Sequence, residues 1–155
     1  MASKTLSKTV GDIVGHHERH GSFKTIEAIV DFSKITSALV AQNEVVEAIP
    51  IEANTMVLGV RAEVLVVEGA ARNFGIGDGS GTSSYITTQS ANSLAEFRSA
   101  LALTEGAPNT VTGYTAGKYY AAADTIDVLA VTAGGLTTCK IRVSVDVIEY
   151  TAVPV

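Results

Sequence analysis

The chain has 155 residues, about the length of one domain; 46% of them are hydrophobic and only 17% are charged. This balance excludes an intrinsically disordered chain. The single cysteine, Cys139, excludes an internal disulfide framework and a multi-cysteine zinc site.

Residues 1–21 form the first predicted unit, an arm rich in Ser, Thr, Lys and Gly that ends in HHERHG. Residues 1–24 carry four basic and two acidic side chains, whereas the rest of the chain carries seven basic and fourteen acidic ones. Duplex binding requires a clustered basic patch, so we predict no nucleic-acid partner. A mildly basic arm suits an acidic protein surface, although an ordinary solvated tail is an equally good interpretation.

The arm has no apolar stretch typical of a secretory signal, and no run approaches the roughly 20 apolar residues of a membrane span. We therefore expect a protein that is made and kept in a cytoplasm-like compartment and has no membrane partner.

The arm also contains all three histidines, and His16 and His20 have the i, i+4 spacing that brings two imidazoles to one side of a helix. The segment lacks the His-Glu-x-x-His order and contains Arg19, so we interpret it as a solvated polar segment and predict no metal site. A metal shared between symmetry-related arms is the alternative. If the arm docks onto a partner, its contact candidates are Lys4, Lys8, His16, His17, Arg19 and His20.

Three strands are predicted after the arm. FKTIEAIVDF (23–32) alternates apolar and polar residues, and EVVEAIPIEA (44–53) is a shorter strand whose Pro50 indicates an edge or a strand end. NTMVLGVRAEVLVVEG (54–69) is the longest strand. Its alternation predicts one apolar face, made of Met56, Leu58, Val60, Ala62, Val64 and Val66.

FGIGDGSGTSSY (74–85) has glycine at every second position before Thr82. A dinucleotide-binding loop would need a glycine in place of Ser80 and a helix after it, and a calcium loop starting at Asp78 would need a closing glutamate in place of Gln89. GYTAGKY (113–119) is one residue too short for a phosphate loop. We therefore interpret the glycine-rich stretch as a strand end running into a turn, where Asp78 hydrogen-bonds its own backbone.

Residues 68–85 and 89–117 are predicted links that let strands cross between two sheets. Within the second link, Leu94, Phe97 and Leu101 have helical spacing, which allows one short helix capped by Ser90 or Asn92.

Residues 118–150 predict two alternating strands around Gly134-Gly135, a pair suited to positive φ in a hairpin turn. The second strand directs Ile141, Val143, Val145 and Val147 to one face, and Cys139 in the same run is interpreted as a buried structural thiol. Many strands and little helix predict an all-β fold. We expect a single β-sandwich of jelly-roll or Greek-key type over residues 22–155, with an extended N-terminal arm and at most one short helix.

No arrangement of residues predicts catalysis. The histidines all lie in the arm, so a Ser-His-Asp site has no frame. Asp124 and Asp127, three residues apart on a strand, would point to opposite faces, and we interpret them as turn and surface residues. We predict that the protein is not an enzyme and takes no cofactor.

Four pieces of the chain resemble, in order and spacing, small structural proteins encoded in the capsid gene clusters of tailed bacteriophages. The pieces are EAIPIEANTMVLGVRAEV, GIGDGSG, YYAAADTIDVLAV and CKIRVSVDVIEY, and they cover roughly residues 45–150.

The resemblance implies a capsid decoration or cement protein (an auxiliary head protein). Such a protein is a β-sandwich that binds the outer surface of an icosahedral head, commonly as a homotrimer, with the major capsid protein as partner and the virion as location. A head-fibre or tail-associated module that binds host carbohydrate is the alternative. Its stacking residues would come from Tyr85, Tyr114, Tyr119 and Tyr120.

Overall fold

The structure is a computed structural model that describes residues 22–35, 42–78, 81–99 and 117–150. The described residues form nine strands and one short 3-10 turn, Phe32–Lys34. The strands are β1 (Ser22–Asp31), β2 (Val45–Ile51), β3 (Thr55–Val66), β4 (Asn73–Asp78), β5 (Gly81–Ser90), β6 (Glu96–Arg98), β7 (Lys118–Tyr120), β8 (Asp124–Ala130) and β9 (Lys140–Glu149).

Two antiparallel sheets pack into a β-sandwich, which confirms the predicted fold class. The first sheet has the order β1-β9-β3-β6 with β7 also on β3, and the second has the order β2-β8-β4-β5. β6 pairs with residues 61–63 of β3 and β7 with residues 55–57, so β6 and β7 together act as one interrupted edge strand. Each early strand therefore pairs with a late one and only β4 and β5 pair as neighbours, which is jelly-roll connectivity.

The core lies between the sheets and is made of branched aliphatic and aromatic side chains. On β9 the predicted inward face is confirmed, because Ile141, Val143, Val145 and Val147 are all fully buried. Each such side chain stabilises the fold by about 1.5–3 kcal/mol. The other large, fully buried side chains are Phe32, Phe74, Ile49, Ile51, Ile76, Ile126, Leu136, Val57, Val60, Val64 and Val128.

The apolar face predicted for β3 is confirmed in the middle of the strand and wrong towards both of its ends. Val57 and Gly59 pair with consecutive residues of β9, so Leu58 is an extra residue, and a second irregularity precedes Val66. Because a one-residue bulge reverses the alternation, Val57 is fully buried while Met56 and Leu58 are only half-buried. Val66, beyond the second bulge, is 41% exposed.

The hairpin predicted around Gly134-Gly135 is wrong. β8 pairs with β2 and β4 in the second sheet, whereas β9 pairs with β1 and β3 in the first. The positive φ is confirmed, at 87° for Gly134 and 62° for Gly135, but it serves a crossing between sheets rather than a hairpin.

The short helix predicted from Leu94 is wrong for the part of it that the structure describes. Phe97 lies in β6, where it pairs with Ala62 and packs edge-on against Phe74 at a ring distance of 5.7 Å. Burial of this aromatic ring over the sandwich favours the extended chain over the weak helical pattern. Leu101 lies outside the described residues.

The glycine-rich stretch and Pro50 largely follow their predictions. FGIGD forms most of the inner strand β4, which pairs with β5 up to the pair Asp78 and Gly81, so the stretch does contain the end of a strand. The predicted link 68–85 thus contains a loop, this strand and the first residues of β5. Pro50 lies next to the end of β2, which is an edge strand of the second sheet.

Candidate functional site

The outer face of the first sheet carries paired charges. Each charged residue of β9 on this face contacts an oppositely charged residue of β1 or β3: Lys140 with Asp31 at 2.9 Å, Arg142 with Glu63 at 3.0 Å, and Asp146 with Arg61 at 3.5 Å. A fourth pair, Glu149 with Lys24, lies at the end of the strands on the side of Val147, which faces the core. Exposed pairs of this kind contribute about 0–1 kcal/mol each. They therefore favour the strand register more than they add stability.

A cavity of about 100 Å³ opens on this face at the bulge in β3. Its lining consists of Gly59, Val60, Arg61, Arg98, Ser99 and Asp146. The Nε atom of Arg61 is buried without a hydrogen-bond partner among the described residues. The cavity is large enough for a few water molecules, and its two guanidinium groups are each contacted by a carboxylate, Asp146 or Glu96.

Glu68 is the most heavily hydrogen-bonded carboxylate of the described chain. Its Oε2 accepts from the backbone nitrogens of Thr137, Thr138 and Cys139 at 2.9, 2.9 and 3.1 Å. Its Oε1 accepts from the hydroxyls of the two threonines at 2.6 and 3.0 Å. Burial raises the pKa of Glu68, but these hydrogen bonds outweigh burial and lower it to about 2.

The bonds of Glu68 attach the β3–β4 loop to the β8–β9 crossing. The β5–β6 loop joins them, because Asn92 accepts from the backbone nitrogen of Arg72 and donates to the carbonyl of Ala70. The Arg72 side chain in turn donates to the carbonyl of Ala133. Three loops at one end of the sandwich are thus fixed together by hydrogen bonds.

Asp78 lies in a buried polar cluster rather than in a solvated turn. It is 1% exposed, and its Oδ2 contacts Nζ of Lys118 at 2.6 Å and the Tyr120 hydroxyl at 2.5 Å. The Tyr120 and Tyr85 hydroxyls are 2.7 Å apart. Asp78 lies at the strand end as predicted, but its side chain is buried between the sheets, where it joins β4 to β7.

The same cluster limits the carbohydrate-binding alternative. Tyr85 and Tyr120 are each 4% exposed, so neither ring can stack on a sugar. Tyr119 is 49% exposed and its hydroxyl donates to Asn54 at 2.8 Å, while Tyr114 lies outside the described residues.

Asp127 is 5% exposed, so its interpretation as a surface residue is wrong. It pairs with Glu47 across β2 and β8, and its carboxylate accepts from the Thr125 hydroxyl at 2.7 Å. Burial raises the pKa of Asp127 against the hydrogen bond from Thr125, and the charges of Glu47 and Asp124 raise it further. Asp124 is half-buried, and its carboxylate accepts from the backbone nitrogen of Thr125.

Cys139 is fully buried, as predicted, and is a free thiol. Burial raises its pKa to about 12, and the neighbouring Glu68 carboxylate acts in the same direction. A thiol in this environment is a poor nucleophile, which agrees with a structural role.

Several large apolar side chains remain exposed, and three of them lie together. The backbone of Ala95 bonds to Val64 and that of Ala91 to Glu68, which brings Leu94 alongside the end of β3. Leu94 is 71% exposed. Val66 and Val67 beside it are 41% and 39% exposed. We call these three exposed residues, whose segments the backbone hydrogen bonds bring together at the same end of the sandwich as the Glu68 loops, the apolar patch.

The arm candidates Lys4, Lys8, His16, His17, Arg19 and His20 all lie outside the described residues. Over the described ranges, no three His, Cys, Asp or Glu side chains are grouped to hold a metal ion. No helix in those ranges is long and apolar enough to cross a membrane.

Sequence reasoning did not predict the two residues with the most elaborate environments. In the sequence Glu68 is only the acidic residue near the end of the predicted strand 54–69, and Lys118 belongs to a stretch that is too short for a phosphate loop. Their partners are 69 and 40 residues away. The only local signal is a carboxylate or amine next to strongly apolar strand residues, which is too common to identify either cluster.

The fold resembles chains in solved structures of bacteriophage capsids. The acid-stable capsid of Helicobacter pylori bacteriophage KHP30 gives a TM-score of 0.57 at 10% identity, over 86% of this chain and 93% of that chain. The capsid of Ralstonia phage GP4 gives 0.58 at 11% identity, over 86% and 88%. The capsid asymmetric unit of cyanophage Pam1 gives 0.61 at 13% identity, over 84% and 86%.

At these identities the likeness establishes the fold. No protein-family model matches the sequence, and no curated protein matches it.

Proposed function

We propose that the protein is a non-enzymatic structural component of a tailed-bacteriophage virion that decorates or cements the outer surface of the icosahedral head. The observation that supports this best is the whole-chain likeness to phage capsid structures, which covers 84–86% of this chain and 86–93% of the other chains. Because both chains are nearly fully covered, each similar chain is itself little more than one such sandwich.

The surface of the sandwich suits a binding task. Cementing requires a chain that binds the assembled shell better than its separate parts, since only differential binding adds stability to the assembly. The apolar patch of Leu94, Val66 and Val67 offers area to bury, and the hydrogen bonds of Glu68 hold its loops in place. A preorganised patch loses less conformational entropy when it binds.

We further propose that the protein acts as a homotrimer and that its partner is the major capsid protein. Three-fold symmetry matches the local symmetry axes of an icosahedral shell. The N-terminal arm supplies a second contact, through Lys4, Lys8, His16, His17, Arg19 and His20.

The test is sedimentation of the purified protein with capsids that lack it. We expect saturable binding at a fixed ratio to the shell protein, and a trimer by light scattering after size-exclusion chromatography. A monomer that stays in the supernatant at every concentration would refute the proposal. A trimer that does not bind capsids would leave the oligomer intact and reject the cement role.

The alternative function, a carbohydrate-binding module on a head fibre or tail, now depends on Tyr119 and Tyr114, because the other two tyrosines are buried. Glycan-array binding that disappears in Tyr119→Ala, together with no capsid binding, would favour the alternative.

A further inference from the structure

The contact between Lys118 and Asp78 brings an amine and a carboxyl group together inside the sandwich. Nζ and Oδ2 are 2.6 Å apart, the Asp78 side chain is fully buried, and the Lys118 side chain is 20% exposed. The two residues belong to different sheets and are 40 residues apart in sequence. By comparison, the lysine–aspartate contact between Lys140 on β9 and Asp31 lies at the surface, with side chains 39% and 14% exposed.

We propose that Lys118 and Asp78 condense to an intramolecular isopeptide bond between Nζ and Cγ. The cross-link would connect β7 of the first sheet to β4 of the second. This inference does not depend on the proposed virion role.

Burial makes the condensation reasonable because a low-dielectric interior disfavours both charges. Proton transfer from Nζ to Oδ2 gives a neutral amine and a neutral carboxyl group. The Nζ lone pair then attacks Cγ, the N–C bond forms, and the C–Oδ2 bond breaks. Oδ2 then leaves as a water molecule that carries two protons, the one already transferred and a second one from Nζ. No group is oxidised or reduced.

Tyr120 is placed to relay the second proton. Its hydroxyl lies 2.5 Å from Oδ2, the oxygen that leaves, and 2.7 Å from the Tyr85 hydroxyl. Burial raises the pKa of Tyr120, and its contacts with Asp78 and Tyr85 act in the same direction, so the phenol keeps its proton between transfers. Holding both reactants in one buried geometry supplies an effective concentration of about 10⁵ M or more.

The test is the intact mass of the full chain, purified in its folded state and measured under denaturing conditions. We expect the wild-type chain to be lighter than its sequence mass by one water molecule. Lys118→Arg and Asp78→Ala should both have their full sequence masses. Lys140→Arg is the matched control and should keep the deficit.

Tryptic digestion locates the bond. Residues 73–98, the peptide that contains Asp78, should appear joined to 99–140, because cleavage after a modified Lys118 is blocked. Asp78→Asn would reach the same cross-linked mass by losing ammonia instead of water. Tyr120→Phe should slow the appearance of the deficit when a newly made chain first folds, while leaving the final deficit of one water molecule unchanged.

Two results would overturn the proposal. One is a wild-type chain at full mass after prolonged incubation in the folded state. The other is a deficit that persists in Lys118→Arg, which would assign the lost water to a succinimide at the Asp78-Gly79 sequence instead. If a variant fails to fold, the peptide pair in the wild-type digest still decides between these outcomes.

Discussion

The backbone nitrogen of Cys139 donates a 3.1 Å hydrogen bond to Oε2 of Glu68, 71 residues earlier in the chain. This bond is one of five that the buried carboxylate accepts from residues 137–139, and it anchors the crossing from the second sheet to the first. One acidic side chain of the β3–β4 loop thus anchors the jelly-roll connection between β8 and β9.

Replacing Glu68 with glutamine should destabilise the fold. A glutamine is neutral and has one acceptor oxygen, so the donors at residues 137–139 lose their charge-assisted hydrogen bonds and some of them face an NH₂ group instead. We expect a loss on the order of 3 kcal/mol in the free energy of unfolding, measured by urea denaturation. Glu96→Gln, at an exposed residue paired with Arg98, is the control and should change stability by less than about 0.5 kcal/mol. Equal effects from the two variants would contradict the role given to Glu68.

Stability should fall in acid, and Glu68 should account for much of the fall. Its pKa is about 2 in the folded chain against an ordinary value of 4.5, so its contribution is complete above pH 4.5 and is lost as the pH falls towards 2. Asp31 acts in the same direction, because hydrogen bonds from Ser33 and Lys140 lower its pKa to about 2. Urea midpoints measured across this range should decline steeply for the wild type and less steeply for Glu68→Gln. Parallel declines would show that other carboxylates cause the acid sensitivity.

Replacing Asp127 with asparagine should leave the fold as stable or make it more stable at neutral pH. Asp127 is buried directly across from Glu47, and like charges in facing positions cost about 0.2–1 kcal/mol. Its pKa is raised, so the cost of its charge is present above the folded pKa and disappears as the pH falls and the carboxyl is protonated.

Denaturation midpoints at neutral and acidic pH test this expectation. Asp127→Asn should be as stable as the wild type or more stable at neutral pH only, and Glu47→Gln should give a similar gain that does not add to it. A loss of more than about 1 kcal/mol in Asp127→Asn would mean that the charge itself is needed by the Thr125 hydroxyl.

Deleting residues 1–21 should weaken capsid binding without unfolding the sandwich, because β1 starts at Ser22 and pairs along its length with β9. Sedimentation of the shortened chain with capsids, at low and high salt, measures the effect. We expect weaker binding and a smaller salt dependence, since the arm carries basic side chains. Unchanged binding would reject the arm as a contact while leaving the cement role open.

Local alternation was enough to predict β1 and β9, because every inward position on β9 is buried by the opposite sheet. It failed on β3, where the extra residue Leu58 reverses the inward face, and that bulge depends on pairing with a strand more than 80 residues later. No sequence pattern around Leu58 marks the position of this bulge.

The polar clusters around Glu68 and Asp78 could not be predicted from the sequence for a related reason. Gly134-Gly135 does adopt positive φ, but whether such a turn closes a hairpin or crosses between sheets depends on which strands β8 and β9 pair with, far away in sequence. Asp78 looks like a turn residue by composition, and only the approach of Lys118 and Tyr120 from the other sheet shows why it is buried. Interactions between sheets combine segments that the sequence keeps apart.

The direct test of the proposed head decoration is an electron cryo-microscopy map of capsids mixed with the purified protein. We expect added density on the outer surface of the shell, at three-fold positions, into which the two-sheet sandwich fits with its apolar patch or arm directed at the shell protein. Capsids without added density, or density found only on fibres or tails, would contradict it.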